Sequence, residues 1–317
     1  MGRLEGKAAV VTGGAGLLGA AFCRQLAAEG ASVLVNDLVG DRAVEVAREI
    51  TEAGGTASAF EGSVDSWVRG GRIIDTCVER YGRIDCLVNS AHTTTSVPLV
   101  ELDEQQFRTT LDSHVTGHFA CTHHAARHMI EQGGGSVVNL VSRAMQGMRG
   151  LSAYGAAKGA ILSATFSWAL ELEKHGIRVN AVSPAARRRA AGESVSTRMP
   201  WRRAPNQSVE EMRAQTPTPE SVAPLIVFLA SDASDWISGQ AIFLAGDSLA
   251  LIRHPMEDRF AFMPEGWSID ALEQHFRNSL SSAMEHPSMQ AAPYAWHDGV
   301  GTSEQRVVTD DPRKPSE

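Results

Sequence analysis

The sequence predicts an α/β fold, a doubly wound parallel sheet of seven strands in one domain spanning 1–250 with a C-terminal helical extension. Three observations predict it. Short apolar runs alternate with segments of helical spacing, which argues for a parallel sheet covered on both faces. The first apolar run ends in a glycine-rich turn that opens a helix. No internal repeat divides the first 250 residues.

The elements follow in order. "AAVVTG" reads as a first buried strand, and 17–29 as a helix ended by Gly30. "ASVLVND" is a second strand; 41–53 has helical spacing through Val44, Ala47 and Ile50 and stops at Gly54-Gly55. "TASAFEG" is a third strand, followed by a helix over 67–81 with Ile73, Ile74, Cys77 and Val78 on one face. "IDCLVNS" is a fourth strand, and the spacing predicts one long helix over 103–132. "GSVVNLVS", a helix over 154–175, "IRVNAVSP", the helix "SVAPLIVFLAS" and the strand "GQAIFLAG" complete the domain. Two parts stand outside this pattern. Residues 187–215 are polar and arginine-rich without clear periodicity, which fits either a lid over a site or a disordered surface loop. Within 251–296, "WSIDALEQHFRNSLSSAM" predicts one helix, with Ser268 as N-cap and Ile269, Leu272, Phe276 and Leu280 on one face. Residues 297–317 are expected to be a disordered tail.

Composition limits the function classes. With 43% apolar and 21% charged residues among 317, and a net charge of −8, nothing recommends nucleic acid as a partner. No apolar stretch approaches the roughly 18–20 residues needed to cross a bilayer. The N-terminus has no secretory pattern, and Gly2 lacks the Ser or Thr of a myristoylation motif because position 6 is glycine. Cys23, Cys77, Cys86 and Cys121 form no C-x-x-C and sit in apolar-periodic segments, so buried free thiols in a reducing cytoplasm are expected.

The turn "VVTGGAGLLGAAF" carries the first chemistry. Gly14, Gly16 and Gly19 spell G-x-G-x-x-G, while Gly13, Gly16 and Gly19 behind Thr12 spell T-G-x-x-G-x-x-G. A helix that begins where a strand ends offers unpaired N–H groups and a positive dipole end, and glycines let a diphosphate approach. The motif alone is weak, and the bland alternative is a plain turn. Its context makes it a Rossmann-type dinucleotide site, because Asp37 ends the second strand eighteen residues after Gly19. A carboxylate there accepts ribose hydroxyls and repels a 2′-phosphate, so NAD is expected rather than NADP.

"SAYGAAKGA" places Tyr154 and Lys158 four apart on one helix face. A phenol is a poor base near neutrality, and an ammonium beside it stabilises the phenolate. Ser142 ends the fifth strand twelve residues earlier, where its hydroxyl can reach the same point. Alone, Y-x-x-x-K is usually a surface pair; the three together lie at the carboxyl ends of strands, where open sheets bind ligands.

With these residues in place, the chain resembles the short-chain dehydrogenase/reductase family over roughly 4–250. The resemblance rests on "TGGAGLLG", "VLVND", "GRIDCLVNSA", "VVNLVS", "YGAAK" and "IRVNAVSP" in that order. It implies Tyr154 as general acid/base, Lys158 as ribose ligand and modulator of the tyrosine, and Ser142 as the group orienting the carbonyl or alcohol. The implied cofactor site comprises Gly13, Gly16, Leu18, Gly19, Asp37, Ser63, Val64, Asn89, Tyr154, Lys158 and Pro184. Several positions depart from the family pattern. Leu17 stands where the dehydrogenase-type turn has glycine, His92 replaces a glycine after Asn89, Ser63 replaces an aspartate, and Ala185 follows Pro184 where glycine is usual. His114 stands where an asparagine completes the proton relay; a histidine there could still hold a relay water, and its own titration could add a pH dependence. The five histidines 114, 118, 123, 124 and 128 lack an acid or cysteine at ligand spacing, so no metal is expected and surface or interface histidines are preferred.

"VNDLVG", "EAGGTA", "SHVTGHFA" and "SPAA" are further similar to the dehydrogenase unit of multifunctional β-oxidation enzymes and bacterial relatives acting on hydroxyacyl-CoA or steroids. The expected function is therefore NAD-dependent interconversion of a secondary alcohol and a ketone on an apolar small-molecule substrate, a 3-hydroxyacyl thioester or a hydroxysteroid-like ring. An NAD-retaining epimerase or dehydratase and an NAD(H)-sensing binding protein stay open as alternatives. The resemblance also implies a homodimer or homotetramer assembled through the helices 103–132 and 154–175; separately, the arginine-rich segment 187–203 could contact a CoA phosphate, since arginine pairs well with phosphate.

Overall fold

The computed structural model describes residues 2–186, 217–246, 248–255, 262–264 and 266–278. Strand β1 (Ala8–Thr12) runs parallel to β2 (Ser32–Asp37) on one side and to β4 (Cys86–Asn89) on the other. Outside β2 lies β3 (Thr56–Glu61). Beyond β4 come β5 (Gly135–Leu140), β6 (Ile177–Pro184) and β7 (Ala241–Ala245), all parallel. All seven expected strands are present.

An eighth strand, β8 (Ser248–Ile252), extends the sheet antiparallel to β7. The boundary expected at residue 250 therefore falls inside a strand. The run "SLALI" is too short for its period to be read, and a tight hairpin at Gly246, with φ of 62°, joins it directly to β7. Only its pairing with β7 defines it as a strand.

Strand β1 is buried at every position, as expected of a central parallel strand covered on both faces. Successive side chains leave opposite faces, so Val11 and Val10 belong to different cores. On the Val11 face, α1 (Leu17–Ala28), α2 (Gly40–Glu52) and α7 (Ala223–Ala230) bury Phe22, Leu26, Ile50 and Ile226. On the Val10 face, α3 (Trp67–Tyr81), α5 (Gly117–Gln132) and α6 (Ser152–Leu172) contribute Ile73, Ile74, Met129 and Ala169. Burying each of the larger side chains is worth about 1.5–3 kcal/mol.

The continuous helix expected over 103–132 is broken. Helix α4 (Glu104–Leu111) starts at a capping box made by Asp103 and Gln106, and the π-helical turn Asp112–Thr116 joins it to α5. Apolar spacing looks the same through such a turn, but the extra residue rotates the side chains within it, and His114 is completely buried there.

The four cysteines are buried free thiols, and burial pushes Cys77, Cys86 and Cys121 up to about 12. Helix α8 (Ile269–Asn278) begins as expected, with Ser268 Oγ accepting from Ala271 N at 3.1 Å. Among the described residues, no helix is long and apolar enough to cross a membrane. Residues 187–215 and 297–317 lie outside the described residues, as do Leu280 and the Phe276 side chain.

Candidate active site

Strand order reverses between β1 and β4, and open parallel sheets bind ligands beyond the carboxyl ends of strands at such a point. The two strand ends are locked together by Thr12, whose buried Oγ1 accepts from Ser90 N and Ala91 N, both at 3.1 Å. The glycine turn leaves from this lock. Gly13 has φ of 63°, and a Cβ on it would stand 2.8 Å from Ala91 Cα. A Cβ on Gly19 would stand 2.1 Å from Gly13 O, so strand, turn and helix close only with glycine at both places. Gly16 is the N-cap of α1 and supplies no side-chain bond to the first turn. The helix N-terminus is therefore left for an external acceptor, which a dinucleotide diphosphate supplies.

Leu18 packs into the core, while Leu17 occupies the first helical position and is 36% exposed. Nothing in this backbone needs a glycine at 17. Leu17→Gly is expected to change NAD affinity by less than about threefold while costing the helix about 1 kcal/mol. Cofactor fluorescence titration with a parallel thermal melt checks both; a large affinity change would mean that the side chain itself shapes the diphosphate seat.

Asp37 ties the second strand to the same turn. Its Oδ2 accepts from Ala15 N at 3.0 Å and its Oδ1 from Val39 N at 3.1 Å. Each carboxylate oxygen can take two hydrogen bonds, so capacity for ribose hydroxyls remains on both. Behind it, Asn36 Nδ2 donates to Phe60 O and Gly62 O at 3.2 and 2.9 Å, fixing the end of β3 where an adenine would lie. Ser63 turns its hydroxyl to Asp65 N at 3.3 Å, and Val64 is buried against Gly117 of α5. Asn89 does not aim its side chain at the cofactor crevice. It is fully used inside, donating to Thr122 Oγ1 and Asn139 Oδ1 at 3.0 Å each, which ties β4 to α5 and β5. The glycine turn, the open helix end and Asp37 fit a dinucleotide.

The catalytic candidates come together at the ends of β5 and α6. Ser142 follows β5 and caps the short helix Arg143–Gln146, its Oγ accepting from Ala144 N at 3.2 Å. A Cβ on Gly155 would lie 2.6 Å from Ala144 O, so this glycine lets the first turn of α6 close onto the Ser142 segment. Its neighbour Tyr154 is half-buried, and Lys158 one turn on has its ammonium 5.7 Å from the Tyr154 ring centre. Lys158 is 2% exposed and donates to Leu140 O at the end of β5. Burial alone pushes its amine down to about 7. Pro184 ends β6, with Ala185 N held by Leu244 O at 3.0 Å.

The buried amine has a measurable consequence. Between pH 7 and 10.5 the unfolded chain binds more protons at this lysine than the folded one, so its cost to stability is largest below 7 and fades as pH rises. Lys158→Met is expected to raise Tm near neutrality while abolishing turnover. Melts of both proteins should show that gain shrinking toward pH 10; a gain independent of pH would assign it to packing.

His114 lies edge-on to Tyr154, with ring centres 5.3 Å apart. Its Nε2 is 2.7 Å from Thr93 O and 3.3 Å from Thr93 N; the shorter contact puts the proton on Nε2. Burial, then Lys158 and His92, lowers its pKa to about 3, against the support of the Thr93 bond. The expectation that His114 titrates in the working range is thus corrected, because the imidazole stays neutral there. The other histidines divide. His118 is 1% exposed, not the surface or interface residue expected, whereas His123 and His124 pack on Trp67 and His128 reaches Asp75. His92 lies 6.5 Å from His114 between ring centres.

Asn36 and Gly155 were not singled out from the sequence, and Thr12 only as the residue that opens the glycine fingerprint, without its role as a lock between strands. Of the first two, Gly155 carried a readable signal, a glycine in the first turn of a helix immediately after the tyrosine.

Comparison with known proteins agrees with this geometry. Residues 14–246 match the family described as enoyl-(acyl carrier protein) reductase. A 3-oxoacyl-[acyl-carrier-protein] reductase of Thermotoga maritima is 32% identical over 250 residues, covering 77% of this chain and 98% of that protein. A (2S)-[(R)-hydroxy(phenyl)methyl]succinyl-CoA dehydrogenase subunit of Thauera aromatica is 28% identical over 248 residues, covering 77% and 96%. The crystal structure of a short chain dehydrogenase from Mycobacterium avium superposes with a TM-score of 0.76 at 29% identity, covering 88% of this chain and 96% of that one. Fold and relatives agree: the chain belongs to the short-chain dehydrogenase/reductase family, oxidoreductases that act on hydroxyl and ketone groups.

Proposed function

We propose that this protein is an NAD-dependent dehydrogenase/reductase that interconverts a secondary alcohol and a ketone on an apolar acyl thioester or hydroxysteroid-like substrate. The observation that carries the reading is the Lys158 ammonium, buried beside Tyr154 on the turn that Gly155 brings against Ser142. In the oxidation direction, Tyr154 as phenolate takes the carbinol proton while the Ser142 hydroxyl holds the substrate oxygen. Lys158 stabilises the phenolate by its charge. Held at the glycine turn and Asp37, NAD would supply the hydride acceptor for this step. In reduction the same phenol returns the proton to the carbonyl oxygen.

Asp37 supports NAD over NADP, because its carboxylate stands at the end of β2 against the glycine turn. The segment after β4 supports an apolar substrate. It is joined to the segment after Ser142 by Val97 N donating to Gly150 O at 2.9 Å, and it exposes Leu99 and Val100. The two relatives, a 3-oxoacyl-[acyl-carrier-protein] reductase and a substituted succinyl-CoA dehydrogenase subunit, are named for acyl thioesters, which favours that class. Exposed Phe107, Phe119 and Leu170 on α4, α5 and α6 support self-association through these helices. The test is a panel of hydroxyacyl-CoAs, hydroxysteroids and simple secondary alcohols, assayed with NAD and with NADP by absorbance of the reduced cofactor. Turnover restricted to NADP, or to polar alcohols, would overturn the reading.

A further inference from the structure

Beside Tyr154, donors and acceptors do not balance within the protein. An ammonium carries three N–H donors. Lys158 is 2% exposed, and Leu140 O is the acceptor found for it among the described residues. Two buried ring nitrogens nearby have the opposite need. Among the described residues, His114 Nδ1 and His118 Nε2 have no protein hydrogen-bond partner. Both belong to one helical run, one turn apart, with nearly parallel rings 6.5 Å between centres.

Both nitrogens are acceptors. The Thr93 carbonyl holds the His114 proton on Nε2, which leaves Nδ1 bare. The carbonyls of His114 and Asn89 act on the His118 ring as hydrogen-bond acceptors, which places its proton on Nδ1 and leaves Nε2 bare. Leaving such groups unpaired in the interior is unfavourable, so buried polar sites of this kind hold ordered water. The charged and titratable groups facing the pair are Lys158 and Tyr154 from α6 and His92 from the segment after β4. Lys158 lowers both imidazoles electrostatically, so neither competes for a proton.

We propose that His118 is a positioning residue for the catalytic pair: its Nε2 and the Nδ1 of His114 jointly accept from one internal water, and that water accepts from the Lys158 ammonium. One water gives a donor to each imidazole and takes one of the two remaining Lys158 N–H groups, leaving the other for the cofactor ribose. The bridge keeps Lys158 charged in a site where burial alone brings its amine down to about 7. No proton passes through His118; it acts on Tyr154 through Lys158. The inference rests on the assignment of Tyr154 as the acid/base.

The test compares His118→Phe, which keeps a ring but removes the acceptor, with His118→Gln, which offers an amide oxygen. Ultraviolet titration of the free protein, taken as a difference from Tyr154→Phe, reads the Tyr154 phenol without substrate. Losing the acceptor weakens the ammonium, so the phenol should titrate higher by about half a unit or more in His118→Phe and return toward wild type in His118→Gln. The rising limb of the oxidation pH profile should move in the same sense, with KM unchanged. Identical titrations in wild type and His118→Phe, or no rescue by Gln with Tm preserved, would overturn the proposal. Nitrogen NMR of the wild-type imidazoles decides the matter should the variants not fold. It should show His114 as the Nε2–H tautomer and His118 as Nδ1–H, with both bare nitrogens hydrogen-bonded; a non-bonded lone pair on either refutes the bridge. Tyr154→Phe with retained turnover would instead refute the acid/base assignment itself.

Discussion

Tyr154→Phe is expected to lower kcat by about 10²–10⁴-fold, the usual worth of a positioned acid/base, while NADH binding stays within about twofold of wild type. The substitution removes one hydroxyl and little else. The Phe ring keeps the edge-on contact with His114, now 5.3 Å between centres, and the position under the Lys158 ammonium at 5.7 Å. The site should therefore assemble, bind cofactor and fail at the proton transfer. Stopped-flow fluorescence for binding and steady-state turnover on the best substrate of the panel separate the two steps. Retained turnover would move the acid/base role elsewhere; equal loss of binding and turnover would make Tyr154 a cofactor ligand without a chemical role.

Asp37→Asn is expected to lower NAD affinity by about tenfold or more and to raise NADP affinity by a similar factor. Hydrogen bonds from a charged acceptor are worth about 1.5–3 kcal/mol, and the same charge repels a 2′-phosphate. Asparagine keeps one oxygen for Ala15 N or Val39 N, so the turn loses at most one of its two anchors. The two affinities must move in opposite directions. If Asp37 serves only as an anchor of the glycine turn, both cofactors weaken together, and a paired binding titration tells the cases apart.

These two residues also show where sequence reasoning was strong. Tyr154, Lys158 and Asp37 were legible because their roles depend on local spacing: four residues on a helix face, or the last residue of a strand after a glycine turn. Ser142 was legible for the same reason. The inward role of Asn89 was not: the resemblance puts this residue along the cofactor, and the structure adds that its side chain turns inward to Thr122 and Asn139, partners 33 and 50 residues away. Ser63 likewise serves its own turn through Asp65 N. The histidines of 114–128 looked like one group, yet the π-helical turn buries His114 and, with it, His118 faces the catalytic side, while His123 and His128 remain on the α3 side.

Periodicity, glycine placement and the Tyr-Lys spacing by themselves determined the doubly wound sheet, the glycine turn that opens α1 and the placing of Tyr154 and Lys158 on one helix, because each is written in contacts within a few residues. The tertiary structure alone decided the eighth strand, whose five residues mean nothing without β7 beside them. It decided that Thr12 ties β1 to the end of β4, and that burial lowers the His114 pKa to about 3, so the imidazole is neutral near pH 7. Burial and hydrogen-bond balance depend on segments far apart in the chain. Those long-range terms set which nitrogen carries a proton and which amine keeps its charge.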